Sequence, residues 1–409
     1  MPPLLRALVA GALAAGAFLG SPARAAAPYQ LELTVDGQSV TRGYDSISEV
    51  RAVLSTAGIQ DLAPSYTDRS ALNGTLRLRG LTGNVVMAPN SSAVRLILPA
   101  AGIDRTFTGA TREESQRQAL AFLSGKASEG AELEKIGEAF AGRTGADPVA
   151  GSPASLLGQS AMADHWAGTL PPGDIGGMAP REAGWHFGGG FEYLRPPADE
   201  RWLTSYSLPF AASYTFGPDG PEAFLSAPLA MADLGGSQSY MGSAALGLRV
   251  PLVRQAVARW FVSPAFRYGA AGSEASGAVG ASYGPSVTSD LRLALPASIT
   301  LGIGNSISHY WTKPLDLGDG GLRYDLSNTF FRNGVSLSRP LGRLSERLVT
   351  LGGSVTDTRV AGSRFAVQNW QEYRLSLTLG ERVPVRASLT YLDGTDGYRA
   401  WQLGLSLAF

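Results

Sequence analysis

The sequence contains no cysteine and only three histidines. Without cysteine the chain has no disulfide framework, no thiolate catalyst and no cysteine-ligated metal site. Its 34 basic residues balance its 34 acidic residues, so no global positive field is present to attract nucleic acid. The sequence therefore predicts no cofactor, no metal ion and no nucleic-acid partner.

Long apolar runs are also scarce. Residues Ala7–Leu19 are apolar and follow Arg6, but as an uncleaved anchor helix this run is shorter than the roughly 20 residues needed to span a membrane. The small residues of Ala23–Ala25 suit a cleavage site, so residues 1–25 are predicted to be a secretory signal peptide, with Ala26 as the first mature residue. No other segment has 18 uninterrupted apolar residues. This argues against a helical membrane protein but not against a barrel, whose strands are short and alternate.

Glycine is abundant, with 51 residues, whereas charged residues make up only 17% of the chain. This composition is unlike that of an ordinary soluble enzyme and favours a sheet-rich protein. The pattern of predicted secondary structure changes along the chain. Residues 26–150 predict an α+β region, either periplasmic or on the cell surface; residues 151–183 predict a helical linker or plug; and residues 184–409 are almost entirely strand and turn.

The α+β region combines alternating apolar runs with helical patterns. Three strands are predicted, at Leu31–Val35, Leu76–Arg79 and Val94–Leu98. Four helices are predicted around Ser48–Ala57, from Thr111, at Glu132–Ala141 with Gly142 ending the helix, and at Ser155–Trp166. Thr111 and Glu114 have the spacing of a capping box. The last helix is followed by Pro- and Gly-rich residues 171–177, which predict a tether to the first strand of the next region.

In residues 184–409 apolar residues alternate with small or polar ones, which places the two sets on opposite faces of each strand. Twelve such segments can be counted, and their spacing fits tilted membrane strands of roughly 9–11 residues plus turns. Tryptophans fall mostly near strand ends, as the aromatic girdles of a membrane barrel require. The predicted fold is mainly β: a C-terminal twelve-stranded antiparallel transmembrane β-barrel, preceded by a small α+β region and a helical linker. A soluble β-sandwich or lipocalin-like barrel is the alternative.

The final strand carries the most specific pattern. One face is apolar and ends in an aromatic residue, and its members are Trp401, Leu403, Leu405, Leu407 and Phe409. This pattern resembles the C-terminal signature of Gram-negative outer-membrane β-barrels, including autotransporter β-domains. The resemblance implies an outer-membrane location, contact with lipid and recognition of the last strand by the barrel assembly machinery.

The polar faces of the strands predict the lining of the lumen. Eight charged residues fall on them: Arg249, Arg267, Arg292, Arg374, Arg386, Glu192, Asp290 and Glu372. A charge facing lipid would cost about 2–4 kcal/mol at mid-bilayer, so the inward placement is favoured. Two interpretations remain open. The charges form a solid, salt-bridged interior, or the arginines line a narrow channel for small anionic solutes.

A catalytic site is not predicted. The three histidines, His165, His186 and His309, lack a serine two residues away on the same strand face, as the phospholipase-type barrels have. The leading function is an integral outer-membrane protein with a structural, surface-interaction or narrow, porin-like channel role. The alternative is an autotransporter-like secretion module with a short passenger, and an outer-membrane hydrolase is third. Residues 152–168 are expected to form a helix that occupies or caps the barrel from the periplasmic side, with Asp164 and Asp174 pairing with lumen arginines.

Overall fold

The structure is a computed structural model that describes residues 27–123, 130–171, 174, 176–179, 181–196, 203–234, 237–273, 277–315 and 323–409. The predicted signal peptide lies outside these residues. The described chain forms an α+β domain, a helix and a closed antiparallel β-barrel, so the predicted fold class is confirmed. The described part of the chain has no helix that is both long and apolar enough to cross a membrane.

The α+β domain is built on a six-stranded antiparallel sheet with the order β2-β1-β3-β4-β5-β6. Its strands are β1 (Tyr29–Val35), β2 (Gln38–Tyr44), β3 (Leu72–Leu78), β4 (Leu81–Met87), β5 (Val94–Leu98) and β6 (Ile103–Phe107). Two hairpins turn on the residue pairs Asp36-Gly37 and Arg79-Gly80, whose φ angles are all positive. Glycine at the second position suits this tight turn, which matches the twist of the flanking strands.

Helices cover one face of this sheet. They are α1 (Ile47–Val53), α2 (Thr56–Leu62), α3 (Arg112–Leu123) and α4 (Gly130–Arg143). The single helix predicted around residues 48–57 is two helices, because Ser55 caps the second one by accepting a hydrogen bond from the Gly58 N–H. The predicted capping residue of α3 acts as expected, since Thr111 accepts a hydrogen bond from the Glu114 N–H at 3.2 Å.

Gly142 does not end α4, contrary to the prediction. The helix continues to Arg143, and a Cβ atom at Gly142 would lie 2.5 Å from the Cβ of Arg364 in the barrel. Gly142 therefore allows close contact between α4 and the barrel, and it does not act as a helix terminator.

The barrel contains twelve spans. Its strands are β7 (Gly184–Arg195), β8 (Thr204–Leu208), β9 (Phe210–Thr215), β10 (Glu222–Ser226), β11 (Leu229–Leu234), β12 (Ser237–Arg254), β13 (Ala258–Ser273), β14 (Ala278–Leu295), β15 (Ile299–Pro314), β16 (Ser327–Leu344), β17 (Arg347–Gly362), β18 (Asn369–Leu379), β19 (Val385–Gly394) and β20 (Arg399–Ala408). β8 and β9 are one span interrupted at Pro209, which lacks an N–H for the ladder. β10 and β11 are likewise one span, interrupted at Ala227-Pro228. Pairing of β20 with β7 closes the barrel.

The two ends of the barrel differ in their connections. We call one end the turn end; it carries residues 216–221, 255–257, 296–298, 345–346 and 380–384, together with the start of β7 and the end of β20. At the opposite, loop end β7 is followed by β8, β11 by β12, β13 by β14, β15 by β16, β17 by β18 and β19 by β20. The largest gaps between successive strands, from Arg195 to Thr204 and from Pro314 to Ser327, occur at this end.

The α+β domain is docked on the loop end. The Ala366 N–H donates to the Ala141 carbonyl at 2.9 Å, and the Val367 N–H donates to the Gly151 carbonyl at 2.9 Å. Asp147 is buried below the domain and accepts a hydrogen bond from the Tyr324 hydroxyl at 2.5 Å. Burial raises the pKa of Asp147, although the hydrogen bonds from Tyr324 and from backbone N–H groups oppose that shift. These contacts hold the domain against the loop end.

Candidate functional site in the barrel lumen

The helix α5 (Leu156–Thr169) lies inside the barrel and packs against the wall formed by β12 to β15. Its first turn lies near the loop end, where Leu156 approaches Gly269, and its last turn lies towards the turn end, where the Thr169 carbonyl accepts from Arg292 at 2.6 Å. The helix predicted to occupy or cap the barrel therefore lies in the lumen. The chain enters the lumen at the loop end and leaves it at the turn end, and entry of the helix from the periplasmic side stays a prediction.

Small residues let α5 lie close to the wall. A Cβ atom at Gly168 would be 2.4 Å from the Cβ of Thr288 on β14, and one at Gly304 on β15 would be 2.7 Å from the Thr169 side chain. Atoms that are not covalently linked do not approach so closely, so an unlinked larger side chain at either position would push the helix away from the strands. Glycine on both surfaces thus sets the distance between helix and wall.

The central charge on α5 is Asp164. Its carboxylate lies 2.6 Å from the Arg267 guanidinium and accepts a hydrogen bond from the Tyr310 hydroxyl at 2.5 Å. Next to it, His165 Nδ1 and the Ser306 hydroxyl lie 3.0 Å apart. All of these side chains are buried. A buried charge that loses its partner costs about 3–5 kcal/mol, so this cluster strongly favours the docked helix.

A second cluster lies nearer the turn end. Arg292 contacts Asp290 at 2.9 Å and Asp174 at 2.8 Å, and Arg249 contacts Asp290 at 2.8 Å. Asp174 belongs to the segment between α5 and β7, so these contacts tie that segment to the barrel wall. Both acidic residues expected to reach lumen arginines, Asp164 and Asp174, do so in the structure.

Arg332 on β16 is a lumen residue that the sequence analysis does not single out. It lies 2.8 Å from Glu372, and Glu372 also accepts a hydrogen bond from the Trp370 indole at 2.9 Å. The sequence does contain a signal for the inward position of Arg332. Neighbouring residues of a strand point to opposite faces, and the adjacent Phe331 faces outward.

Arg374 and Arg386 lie on the other side of the lumen and have a different environment. Arg374 donates to Thr390 at 3.0 Å, and its guanidinium lies 4.0 Å from the Trp166 ring centroid. Arg386 donates to Thr378 and to the Asp174 carbonyl. Within the described ranges neither arginine forms an ion pair. Glu192, the remaining predicted lumen residue, accepts from Gln402 at 2.9 Å and from Ser207 at 3.3 Å.

A cavity of about 220 Å³ lies beside α5. It is bounded by the helix, by β7 to β10 and by β18 to β20, and both Arg374 and Arg386 line it. The helix therefore occupies one side of the lumen and leaves the opposite side open. In the part of the chain that the structure describes, no group of histidine and acidic residues is arranged to hold a metal ion.

The outer surface of the barrel is apolar on every span. Its exposed side chains include Trp185, Phe187, Phe191, Leu208, Phe210, Phe216, Leu225, Leu229, Leu246, Phe266, Val287, Ile307, Phe331, Val335, Leu351, Val355, Leu375, Leu377, Leu389, Trp401 and Leu403. Soluble proteins rarely expose so large an apolar surface to water, whereas a barrel in a membrane presents an apolar surface to the lipid hydrocarbon. The protein is a β-barrel of the bacterial outer membrane. The soluble β-sandwich alternative is therefore wrong.

No protein-family model matches the sequence, and no curated protein matches it. Solved structures with a similar fold include the β-domain of the Bordetella autotransporter BrkA, at 14% identity and a TM-score of 0.43, covering 56% of this chain and 99% of that one. The translocator domain of the autotransporter NalP from Neisseria meningitidis is 12% identical with a TM-score of 0.39, covering 62% and 92%. The KdgM porin, in complex with disordered oligogalacturonate, is 9% identical with a TM-score of 0.32, covering 54% and 99%. These similarities concern the fold alone.

Proposed function

We propose that this outer-membrane barrel anchors its own α+β domain and displays it on the cell surface, in the manner of an autotransporter with a short passenger. The observation that carries the proposal is the path of the chain. From the domain at the loop end, the chain passes through the lumen as α5 and emerges at the turn end, where β7 begins.

The connections support the direction of this path. Outer-membrane barrels have short periplasmic turns and longer extracellular loops. The largest gaps between successive strands, from Arg195 to Thr204 and from Pro314 to Ser327, occur at the loop end, where the domain is docked. This supports a location of the domain outside the cell and of the segment between α5 and β7 in the periplasm.

The contacts at the loop end favour a fixed display over a loose tether. A buried apolar cluster there joins residues of the 144–157 segment to the barrel; its aromatic members are Tyr310, Tyr324, Phe330, Phe365, Trp370 and Tyr398. A role as a narrow channel for small anions is the competing proposal. With α5 in place only the cavity beside the helix is available to solutes. A wider passage requires α5 to leave the lumen, which would leave the charges of Asp164 and Arg267 buried without each other.

Cysteine labelling of intact cells tests the display. The sequence has no cysteine of its own, so a single introduced thiol is the only one that can react. Gln38→Cys, at an exposed position of the domain, should react with a membrane-impermeant maleimide on intact cells. Arg382→Cys, exposed at the turn end, should react only after the outer membrane is permeabilised. The reversed pattern would show that the domain is periplasmic and would overturn the proposal.

A further inference from the structure

The side of α5 that faces the cavity is apolar except for Gln159. Met162, Ala163, Trp166, Ala167 and Leu170 all line the cavity, and their spacing of three and four residues places them on one face of the helix. The opposite side carries the polar residues Asp164 and His165, which are bonded to the wall. Most of the α5 side chains beside the cavity are therefore apolar, whereas polar side chains would be expected beside a water-filled lumen.

The barrel wall across the cavity continues the apolar surface. Leu194, Phe224, Pro209 and Pro228 line it. These side chains point inward, although most inward positions of the barrel are small or polar. Water in contact with this surface is unfavourable by about 25 cal/mol for each Å² of apolar area, so an apolar ligand would be stabilised there.

One part of the cavity has a different chemistry, because Arg374 and Arg386 both line it. The other inward arginines, Arg249, Arg267 and Arg292, contact carboxylates at 2.6–2.8 Å. Among the described residues Arg374 and Arg386 donate hydrogen bonds only to hydroxyl and carbonyl oxygens, and Arg374 also lies over the Trp166 ring. The carboxylates of Glu192 and Asp174 line the same cavity, but in the described structure neither forms an ion pair with Arg374 or Arg386. Two such guanidinium groups beside an apolar cavity match an anionic group attached to an apolar chain, since hydrogen bonds to a charged acceptor are strong where water is scarce.

We propose that this cavity binds a single-chain anionic amphiphile of the fatty-acid type. Arg374 and Arg386 bind its carboxylate, and its alkyl chain lies between the Met162–Leu170 face of α5 and the wall at Phe224 and Leu194. The proposal depends only on the position of α5 in the lumen. It holds whether the α+β domain is outside the cell or in the periplasm.

Displacement of a dansyl-labelled fatty acid tests the proposal, with the full chain reconstituted in nanodiscs of zwitterionic phosphatidylcholine. Decanoate should displace the probe at concentrations at least about tenfold lower than decanol or decyltrimethylammonium, because only decanoate carries the charge that the arginines bind. Equal competition by the three compounds would overturn the proposal.

Two kinds of variant locate the site. Arg374→Ser combined with Arg386→Ser should weaken decanoate binding at least about tenfold and leave decanol binding unchanged. Arg343→Ser, which removes an exposed arginine at the turn end, is the matched control and should bind as the wild type does. Ala163→Phe, which fills the cavity and leaves both arginines in place, should weaken binding of all alkyl compounds. Undiminished binding by the folded Ala163→Phe protein would place the site elsewhere and overturn the proposal.

Discussion

The Asp164 carboxylate on α5 lies 2.6 Å from the Arg267 guanidinium on β13, and each side chain is only 1% exposed. This pair joins the helix in the lumen to one strand of the surrounding barrel wall. Each partner would be a buried, uncompensated charge if the helix moved away. The position of the helix therefore depends on a residue of α5 and on a residue of the barrel wall.

Breaking this pair on one side should destabilise the protein. Arg267→Met leaves Asp164 buried without its cation, and we expect a loss of about 3–5 kcal/mol in the free energy of unfolding. Thermal unfolding followed by heat-modifiable gel migration would measure it. Removing both charges, as Arg267→Met with Asp164→Leu, should recover most of the loss. The exposed pair of Arg343 and Glu381 is the control, since its disruption should cost no more than about 1 kcal/mol. Equal effects at the two pairs would contradict the lumen placement.

A disulfide should trap α5 against β15. A Cβ atom at Gly304 would lie 2.7 Å from Cγ2 of Thr169, so cysteines at positions 169 and 304 are close enough to bond. We expect Thr169→Cys with Gly304→Cys to cross-link efficiently in the assembled protein. In Thr169→Cys with Gly404→Cys the second cysteine lies on β20, across the cavity, and should not cross-link. Efficient cross-linking in the control pair alone would show that α5 packs on the other wall.

Any ionic current through the barrel should be small and should prefer anions. The helix and its ion pairs occupy one side of the lumen. The open side is lined by Arg374 and Arg386, which form no ion pair among the described residues, and by the single carboxylate of Glu192, since Asp174 is paired with Arg292. Reversal potentials in a salt gradient across a planar bilayer would measure the preference. Arg374→Ser with Arg386→Ser should weaken it, whereas Arg343→Ser should not. A cation-selective pore is incompatible with this assignment.

Deletion of Phe409 should lower the amount of assembled barrel. The backbone of Phe409 exchanges hydrogen bonds with Phe187 at 2.8 and 2.9 Å, and the two rings stack with centroids 5.8 Å apart. The last strand also resembles the signature that barrel assembly machinery recognises. The heat-modifiable fraction in isolated outer membranes would measure assembly. Phe216→Ala, which removes an exposed aromatic ring from the turn end, is the control. Unchanged assembly kinetics after deletion of Phe409 would refute the recognition role.

The barrel itself could be predicted because the alternation of apolar and polar residues along each strand is visible in a short stretch of sequence. Alternation along β20 correctly assigns Trp401 and Leu403 to the outer face, and both are at least half exposed. The same parity indicates which charged residues point inward. It does not indicate which of them form pairs, because pairing depends on the register between strands and on α5. The pair of Arg332 and Glu372 bridges strands that are not neighbours in the barrel, and no spacing in the sequence reveals it.

The direction of α5 in the barrel cannot be predicted from the sequence for a related reason. Residues 155–166 have a helical pattern, but that pattern is the same whether the helix enters the barrel from one end or from the other. The contact of Thr169 with Arg292 settles the direction, and that contact joins residues far apart in the chain. The apolar face at Met162 and Trp166 likewise has the spacing of an ordinary core helix. Only the lumen beside it shows that this face is left uncovered.

The path of the chain through the lumen has a mechanical consequence. The helix in the lumen, with its side chains, is about 10–12 Å wide. The six-stranded sheet of the α+β domain, with strands roughly 4.8 Å apart, is more than twice as wide. The folded domain therefore cannot follow α5 into the barrel. At the other end of the helix the chain is covalently continuous with β7, which is part of the ring itself. The helix is thus held at both ends: the folded domain blocks its passage at the loop end, and the chain joins it covalently to the barrel wall at the turn end. Escape of the helix through the turn end therefore requires unfolding of the domain or opening of the seam between β7 and β20, and the rate of that route is set by unfolding.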